Sequence, residues 1–571
     1  MIYERHSGPG DISQISARLG VVVASGVIAH FLVPLTDYII WDGWWYATDL
    51  GRVEGPAIMA RLFHEVGRPL DMAFYGPLRL AGGDATIWAK WLSTVTWIAA
   101  AVCTGAVLRR LGGLSPTVAS AVAALAAAAP VFDLLGELAL WMNTACVLLF
   151  WVAWLFVSLL PTLRGWGALG VRLAALALFF VSFDLNSNLV MFYAVAATLV
   201  SLRLRDLRPS TLRQRLPSLM IRYADFLALP VVFWLWKTWF TPANGFYASG
   251  YNQPSLAPDR LAIGYFGLFI DFVLRGLVDL VSSPLCLAVA SLAGIVTAIA
   301  IVRLRVPHTD VDGCRRLGLW LALSGVFLLA AAAFPYIAVG QALAHEGWLT
   351  RNCILCPLPV ALIACGAALE LNSWLPARPH AWLITVAMLV VLSAGGCIRN
   401  YLAWQAFGAK QWSIREKLNQ AIDKTGACAI QLRDYAYVPG TIPYYPPIIW
   451  TYIASTPPEL PKTFVIETTT AAADVFQRGP GGDIERTVPQ IPLTPHMLDQ
   501  LITATTMPYA LERVSRTGPQ LLVMVEPGFN AESPTALGLR YLLLRWLDGN
   551  RLPEFVREFT KVQSFPMPKL E

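Results

Sequence analysis

Long apolar stretches recur along the first 400 residues of this chain, and they constrain its fold more than any other feature. Several of them are long enough to cross the roughly 30 Å of hydrocarbon in a bilayer. Composition agrees, because 56% of the residues are hydrophobic and 14% are charged, whereas a soluble protein carries about 25% charged residues. The sequence therefore predicts a mainly α-helical, polytopic transmembrane bundle of about eleven spans.

Arginines between the predicted spans indicate the orientation, because cytoplasmic loops retain Lys and Arg. They follow the even-numbered spans from the second to the eighth, as in Arg109, Arg110, Arg164, Arg172, Arg203, Arg205, Arg303 and Arg305. This pattern places the N-terminus in the cytoplasm and the long first loop, 41–86, outside. Residues 261–281 are also apolar, but Asp271, Arg275 and Asp279 form a polar stripe on one helix face, so we expect a helix lying flat at the interface.

The tail differs from the bundle in composition. Short apolar runs, TFVIET and QLLVMVEP, stand between turn-rich segments, and residues 496–505 and 536–549 have helical patterns. We expect a small α/β domain on the outer face. The predicted division is a transmembrane domain, 1–400, and a periplasmic or extracellular domain, 401–571.

Several classes of function are disfavoured by the same features. The net charge of +6 comes from basic connectors, which gives no reason to expect nucleic acid as a partner. The connectors on the cytoplasmic side are too short to bind a nucleotide. Cys353 and Cys356 have a CxxC spacing without a second Cys or His pair, so neither a zinc site nor a redox motif is expected.

The most unusual stretch is WDGWWYATDL, which directly follows the first predicted span at residues 41–50. Asp42 lies one or two residues beyond the hydrocarbon edge among three tryptophans, where a low dielectric would suit a general base. The tryptophans also fit an ordinary interfacial belt. Asp49 is a candidate contact for a metal or an acceptor.

Other polar residues of the predicted outer loops are candidates for binding substrate. The first loop holds His64, Glu65 and Asp71, with His64 at the end of an amphipathic helix predicted over 56–66. The later candidates are Asn186, Asn188, Lys237, Tyr251 and Asn252. Lys237 is equally consistent with a snorkelling lysine. A divalent cation, Mg or Mn, is left open with Asp42, Asp49 and His64 as candidate ligands, although no certain cofactor is expected.

Arg351 stands at the predicted outer mouth of the tenth span, in GWLTRN. Its planar, permanently charged guanidinium suits phosphate oxygens. An ordinary ion pair, with Glu346 or Asp42, is the alternative.

This layout resembles the GT-C superfamily of membrane glycosyltransferases, which use polyprenyl-phosphate-linked sugars. The resemblance rests on the arrangement of spans, the long first outer loop, Asp42 in WDGWW and Arg351 in GWLTRN. It implies that Asp42 is the catalytic base, and that Arg351 and Lys237 bind the donor phosphate. It also implies a bacterial cytoplasmic membrane, a lipid-linked sugar donor and a glycan, lipid or protein acceptor. The tail has no WWD-type signature, which argues against protein N-glycosylation.

Two other functions stay open. A polysaccharide polymerase or ligase would also use arginines in outer loops. A transporter or flippase of lipid-linked saccharides would show internal repeats and charged residues at mid-membrane, which are not evident here.

Overall fold

The structure is a computed structural model. It describes residues 10–40, 42–50, 52–81, 85–205, 217–244, 248, 254–303, 311–374, 380–436, 438–439, 441, 447–454, 463–470, 517–529 and 532–567.

Helices make up most of the described chain before residue 425. They are α1 Gly10–His30, α2 Gly43–Leu50, α3 Gly55–Val66, α4 Asp71–Leu80, α5 Ala85–Arg110, α6 Pro116–Ala128, α7 Trp141–Leu159, α8 Gly165–Ser182, α9 Ser187–Leu204, α10 Ala224–Phe240, α11 Pro258–Gly267, α12 Arg275–Val281, α13 Pro284–Arg303, α14 Val311–Ala338, α15 Pro357–Trp374 and α16 Ala381–Thr425. A π-helical turn, Leu268–Leu274, joins α11 to α12, and short 3-10 helices include Asp133–Gly136, Leu138–Leu140 and Trp348–Cys353.

Within the described residues, eight helical segments are long and apolar enough to cross a membrane. Three shorter apolar helices, Pro116–Ala128, Pro284–Ile299 and Pro357–Asn372, accompany them. The prediction of a mainly helical chain with the character of a multi-pass membrane protein is confirmed at this level. The number of eleven spans and the orientation stay predictions.

The helical segment from α11 to α12 is one of the eight, although we expected it to lie flat. Its contacts join it to several other elements. Tyr265 donates to the backbone O of Ala330 in α14 (3.0 Å), and His345 lies 2.7 Å from the backbone O of Asp271. Further along, Asp279 forms an ion pair with Arg399 of α16. The segment is thus long enough to span, and it contacts α14, the residues that follow α14, and α16.

The predicted amphipathic helix in the first loop is present as α3. Met59, Leu62 and Phe63 are buried along one side of it, whereas Arg61 and His64 are exposed. Pro56 stands in its first turn, where its missing N–H costs nothing. The helix ends at Gly67, whose positive φ of 74° suits glycine.

Helix α16 runs without a break from Ala381 to Thr425, through the position where we placed the boundary between the domains. The strands that follow are β1 Ala429–Asp434, β2 Phe464–Thr470, β3 Gln520–Pro527 and β4 Thr560–Pro566. They form one sheet in the order β2-β1-β3-β4, in which β1 pairs in parallel with β2 and β3, and β4 pairs antiparallel with β3. Both apolar runs of the tail are therefore strands.

Helices α17 Pro447–Ile453, α18 Pro534–Leu547 and α19 Leu552–Glu558 complete the tail. Helix α18 matches the helix expected at 536–549, and the one expected at 496–505 lies outside the described residues. Helix α18 packs closely on α16, because a Cβ on Gly538 would lie 1.9 Å from the backbone O of Leu402. A buried ion pair, Lys410–Asp434 at 2.6 Å, joins α16 to β1.

Candidate functional site

Asp42 occupies the turn that leads into α2. Residues 36–40 belong to no helix or strand, and Gly43 N donates to Ile40 O at 2.9 Å. The backbone O of Asp42 accepts from Tyr46 N at 3.1 Å, so Asp42 immediately precedes the first turn of α2. The N-terminal end of a helix favours a negative charge.

The aromatic residues after Asp42 belong to the protein core. Trp44 is fully buried and packs edge-on against Trp412 of α16, with ring centroids 5.3 Å apart. Trp45 and Tyr46 are also buried. The expectation of an interfacial belt is wrong for Trp44 and Trp45, because α2 packs against α3, the 3-10 helix Leu138–Leu140 and the helix Pro447–Ile453, and Trp44 also contacts α16. Trp41 lies outside the described residues.

Asp42 and Arg351 are electrostatic neighbours, although 309 positions (351 − 42) separate them in the chain. The surrounding protein raises the pKa of the Asp42 carboxyl to about 6 by burial, and the positive charge of Arg351 acts in the opposite direction. Arg351 lies on the 3-10 helix Trp348–Cys353, and its guanidinium stacks over the Trp348 ring at 4.7 Å. A carboxylate with this pKa is ionised at neutral pH and still basic enough to accept a proton.

Glu137 adjoins the same turn, and the sequence reasoning missed it. It is fully buried, and its Oε2 accepts from Ile40 N at 2.9 Å. The surrounding protein raises the pKa of Glu137 to about 8, mainly because the carboxyl group is buried. The charge of Asp42 also raises this pKa, and the backbone N–H donors of Ala139 and Ile40 lower it. The available signal was a carboxylate inside the apolar run FDLLGELAL, since such residues are costly and need a partner.

A second polar group surrounds Arg68 at the same end of the bundle, and we call it the Arg68 cluster. Arg68 contacts Asp71 (3.0 Å), Asp184 (3.8 Å) and the side-chain oxygen of Asn143 (2.9 Å). Asp71 and Asp184 are both buried. Burial raises the pKa of Asp71 well above its ordinary value; the charge of Arg68 opposes this, and that of Asp184 adds to it.

Lys237 belongs electrostatically to the Arg68 cluster. Its Nζ donates to Asn186 Oδ1 at 2.9 Å, and it interacts with Asp184 and Asp71. The structure therefore brings Lys237 close to Asn186 and Asp71, with carboxylates among its neighbours, and a role in binding substrate stays a prediction. Asn188 is buried close by and donates to Ser182 O at 2.8 Å, which gives it a structural hydrogen bond.

The remaining candidates of the first loop are held in local contacts. Asp49 is buried beside Arg52 (3.3 Å), and burial raises its pKa to about 6, against the influence of Arg52. His64 lies 3.2 Å from the Asn244 amide. Glu65 forms a 2.8 Å ion pair with Arg61 at the surface. Tyr251 and Asn252 lie outside the described residues.

The candidate metal ligands of the first loop do not lie together. Within the part of the chain that the structure describes, no group of three or more His, Cys, Asp or Glu residues is arranged to hold a metal ion. The three candidate ligands Asp42, Asp49 and His64 have different neighbours, which are Arg351, Arg52 and Asn244 respectively. We therefore derive no step that uses a metal.

Comparisons with known proteins identify no family for this chain. No protein-family model matches this chain, and no curated protein matches it.

Proposed function

We propose that this protein is an integral-membrane glycosyltransferase that moves a sugar from a polyprenyl-phosphate donor to a hydroxyl acceptor. The observation that carries the proposal is the pairing of Asp42 with Arg351 at the end of the bundle. It combines a carboxylate with a raised pKa and a permanent cation whose charge lowers that pKa. Acceptors in keeping with this chemistry are surface glycans, lipids or proteins.

In the proposed reaction, the acceptor hydroxyl gives its proton to Asp42 as its oxygen forms a bond to the anomeric carbon. The bond from that carbon to the phosphate oxygen breaks, and its electron pair leaves with the polyprenyl phosphate. Arg351 stabilises the charge that develops on this phosphate. Base and leaving group act on opposite faces of the sugar, so the configuration inverts.

The position of the pair suits such a donor. Asp42 follows an apolar helical segment, Arg18–Leu35, by only a few residues. Arg351 precedes the apolar helix Pro357–Asn372 by a similar distance. A lipid-linked donor whose chain lies among apolar helices would present its phosphate at this level. We propose that this end of the bundle, with the tail domain, faces away from the cytoplasm across the bacterial inner membrane.

The test is direct. Purified protein is incubated with a panel of polyprenyl-phosphate sugars and acceptor saccharides, and released polyprenyl phosphate is measured. We expect Asp42→Asn to lower kcat by roughly 10²–10⁴-fold, the usual contribution of a general base. Glu532→Gln, which removes a carboxylate from an exposed pair with Arg540, is the matched control and should leave kcat unchanged.

Two results would contradict the proposal. Full activity of Asp42→Asn would exclude this residue as the base. Movement of intact lipid-linked saccharide between leaflets of a proteoliposome, with no release of polyprenyl phosphate, would favour a flippase.

A further inference from the structure

The backbone segment that leads to Asp42 is held between two buried side chains of opposite formal charge. From α5, Lys90 donates to Thr36 Oγ1 at 3.1 Å and to Tyr38 O at 2.9 Å. From the connector before α7, Glu137 accepts from Ile40 N at 2.9 Å. Both side chains are fully buried. Backbone groups of this segment are thus satisfied by side chains from other elements, and Gln405 of α16 adds another bond by accepting from Asp37 N at 3.0 Å.

Glu137 contacts this segment on both sides of Asp42. Its Oε2 binds Ile40 N, two residues before Asp42. Its Oε1 accepts from Ala139 N at 3.3 Å and packs against Gly43, the residue after Asp42. The fit leaves no room for a side chain, because a Cβ on Gly43 would lie 2.3 Å from Oε1.

A buried carboxyl group is a costly way to fill this space. An apolar side chain of similar size would avoid the desolvation penalty. What a carboxyl group offers is directional hydrogen bonding to backbone N–H groups, which fixes the backbone to within a few tenths of an ångström.

We propose that Glu137 is a positioning residue for Asp42, because it fixes the Ile40–Gly43 turn so that the Asp42 carboxylate stays beside Arg351. This inference rests on the proposed function, since it assigns Asp42 the role of base. Glu137 itself acts through the backbone and touches no substrate.

The charge that Glu137 and Asp42 carry together at neutral pH supports the choice of variants. The groups that interact electrostatically with Glu137 include Asp42, Lys90 and Tyr38, and Arg351 interacts with Asp42. With the pKa of Glu137 near 8 and that of Asp42 near 6, the pair carries one negative charge at neutral pH. Glutamine, which is neutral and of the same size, keeps an oxygen for Ile40 N and gives up only the longer hydrogen bond from Ala139 N.

The first measurement is the kinetics of Glu137 variants at pH 7. We expect Glu137→Gln to stay within about threefold of wild type. Glu137→Asp is too short to reach Ile40 N, and we expect it to lower kcat by about 10²-fold, the effect of a displacement near 1 Å, with little change in KM for the donor. Gly43→Ala should cause a similar loss. Because both changes disturb one contact, the loss in the double variant should be smaller than the product of the two single losses.

The second measurement does not depend on sugar transfer. Hydrogen–deuterium exchange of peptides that cover residues 38–46 should be faster in Glu137→Asp and unchanged in Glu137→Gln. Glu532→Asp is the matched control and should leave these peptides unchanged. Elution from a size-exclusion column verifies that each variant is folded.

The outcomes separate the two proposals. Unchanged exchange and unchanged kcat in Glu137→Asp would overturn the positioning role. An equal loss of kcat in the Gln and Asp variants would also contradict it, because the isosteric variant should rescue. If wild-type protein transfers no sugar while Glu137→Asp still loosens residues 38–46, the proposed function fails and the restraint on the turn stands.

Discussion

At the scale of single residues, the acidity of Asp42 depends on its burial and on Arg351. The burial of Asp42 raises its pKa to about 6, and Arg351 prevents a larger rise. Neither effect is readable from WDGWW or GWLTRN alone, because each depends on two segments that meet only in the folded chain. The sequence identified both residues, and tertiary structure made them neighbours.

The pH dependence of transfer is the corresponding prediction. Asp42 is protonated below its pKa and cannot accept a proton, so the rate should rise with pH through about 6. Arg351→Ala removes the charge that lowers this pKa, so its rise should be displaced to higher pH. The measurement is the pH profile of kcat/KM. Arg540→Ala, a change in an exposed pair with Glu532, should keep the wild-type profile; a profile of Arg351→Ala that coincides with wild type would refute the coupling.

At the scale of elements, the loop 41–86 is a packed unit instead of a connector. Helices α2, α3 and α4 lie against one another and against α5 and α7. Periodicity was enough to predict α3, because Met59, Leu62 and Phe63 recur at helical spacing. It was insufficient for α2, because Trp44 is buried against Trp412 of α16, an element more than 300 positions away. The interpretation of Trp44 and Trp45 as an interfacial belt is wrong for that reason.

The Arg68 cluster should stabilise this packing. Arg68→Ala would leave Asp71 and Asp184 buried together without the cation that forms ion pairs with both, and only the charge of Lys237 would remain near them. We expect a loss of about 3 kcal/mol in the free energy of unfolding, as for a broken buried pair. Arg61→Ala removes a mostly exposed partner of Glu65 and should cost at most about 1 kcal/mol. Thermal unfolding in detergent, followed by tryptophan fluorescence, compares the two; equal midpoints would show that the cluster contributes no special stability.

At the scale of the whole molecule, the tail and the bundle share α16 and one continuous hydrophobic core. Asp37, just before the Asp42 turn, accepts from Tyr541 (2.7 Å) and pairs with Arg545 (2.9 Å), both on α18. A change in α18 would therefore alter the contacts of Asp37, which lies close to the proposed base. A division of the sequence at residue 400 conceals this continuity, although it separates the apolar spans from the sheet.

The buried Lys410–Asp434 pair tests this continuity. Asp434→Asn would remove the carboxylate 2.6 Å from a buried ammonium group. We expect the whole chain to be destabilised by about 3 kcal/mol, whereas the double variant Lys410→Met/Asp434→Asn should recover part of the loss. Calorimetry should show one unfolding transition that moves as a unit. A separate early transition confined to the tail would contradict a shared core.

The sequence by itself determined the helical membrane character, the amphipathic α3, two strands of the tail and α18, because these follow from hydropathy and from local periodicity. It also singled out Asp42 and Arg351, since a carboxylate and an arginine at the ends of apolar segments are chemically conspicuous. Only the tertiary structure decided which charges meet: Arg351 with Asp42, Lys237 with the Arg68 cluster, and Glu137 with the Ile40–Gly43 turn. The physical reason is that hydropathy acts along the chain, whereas burial and electrostatic pairing depend on distances between elements far apart in it.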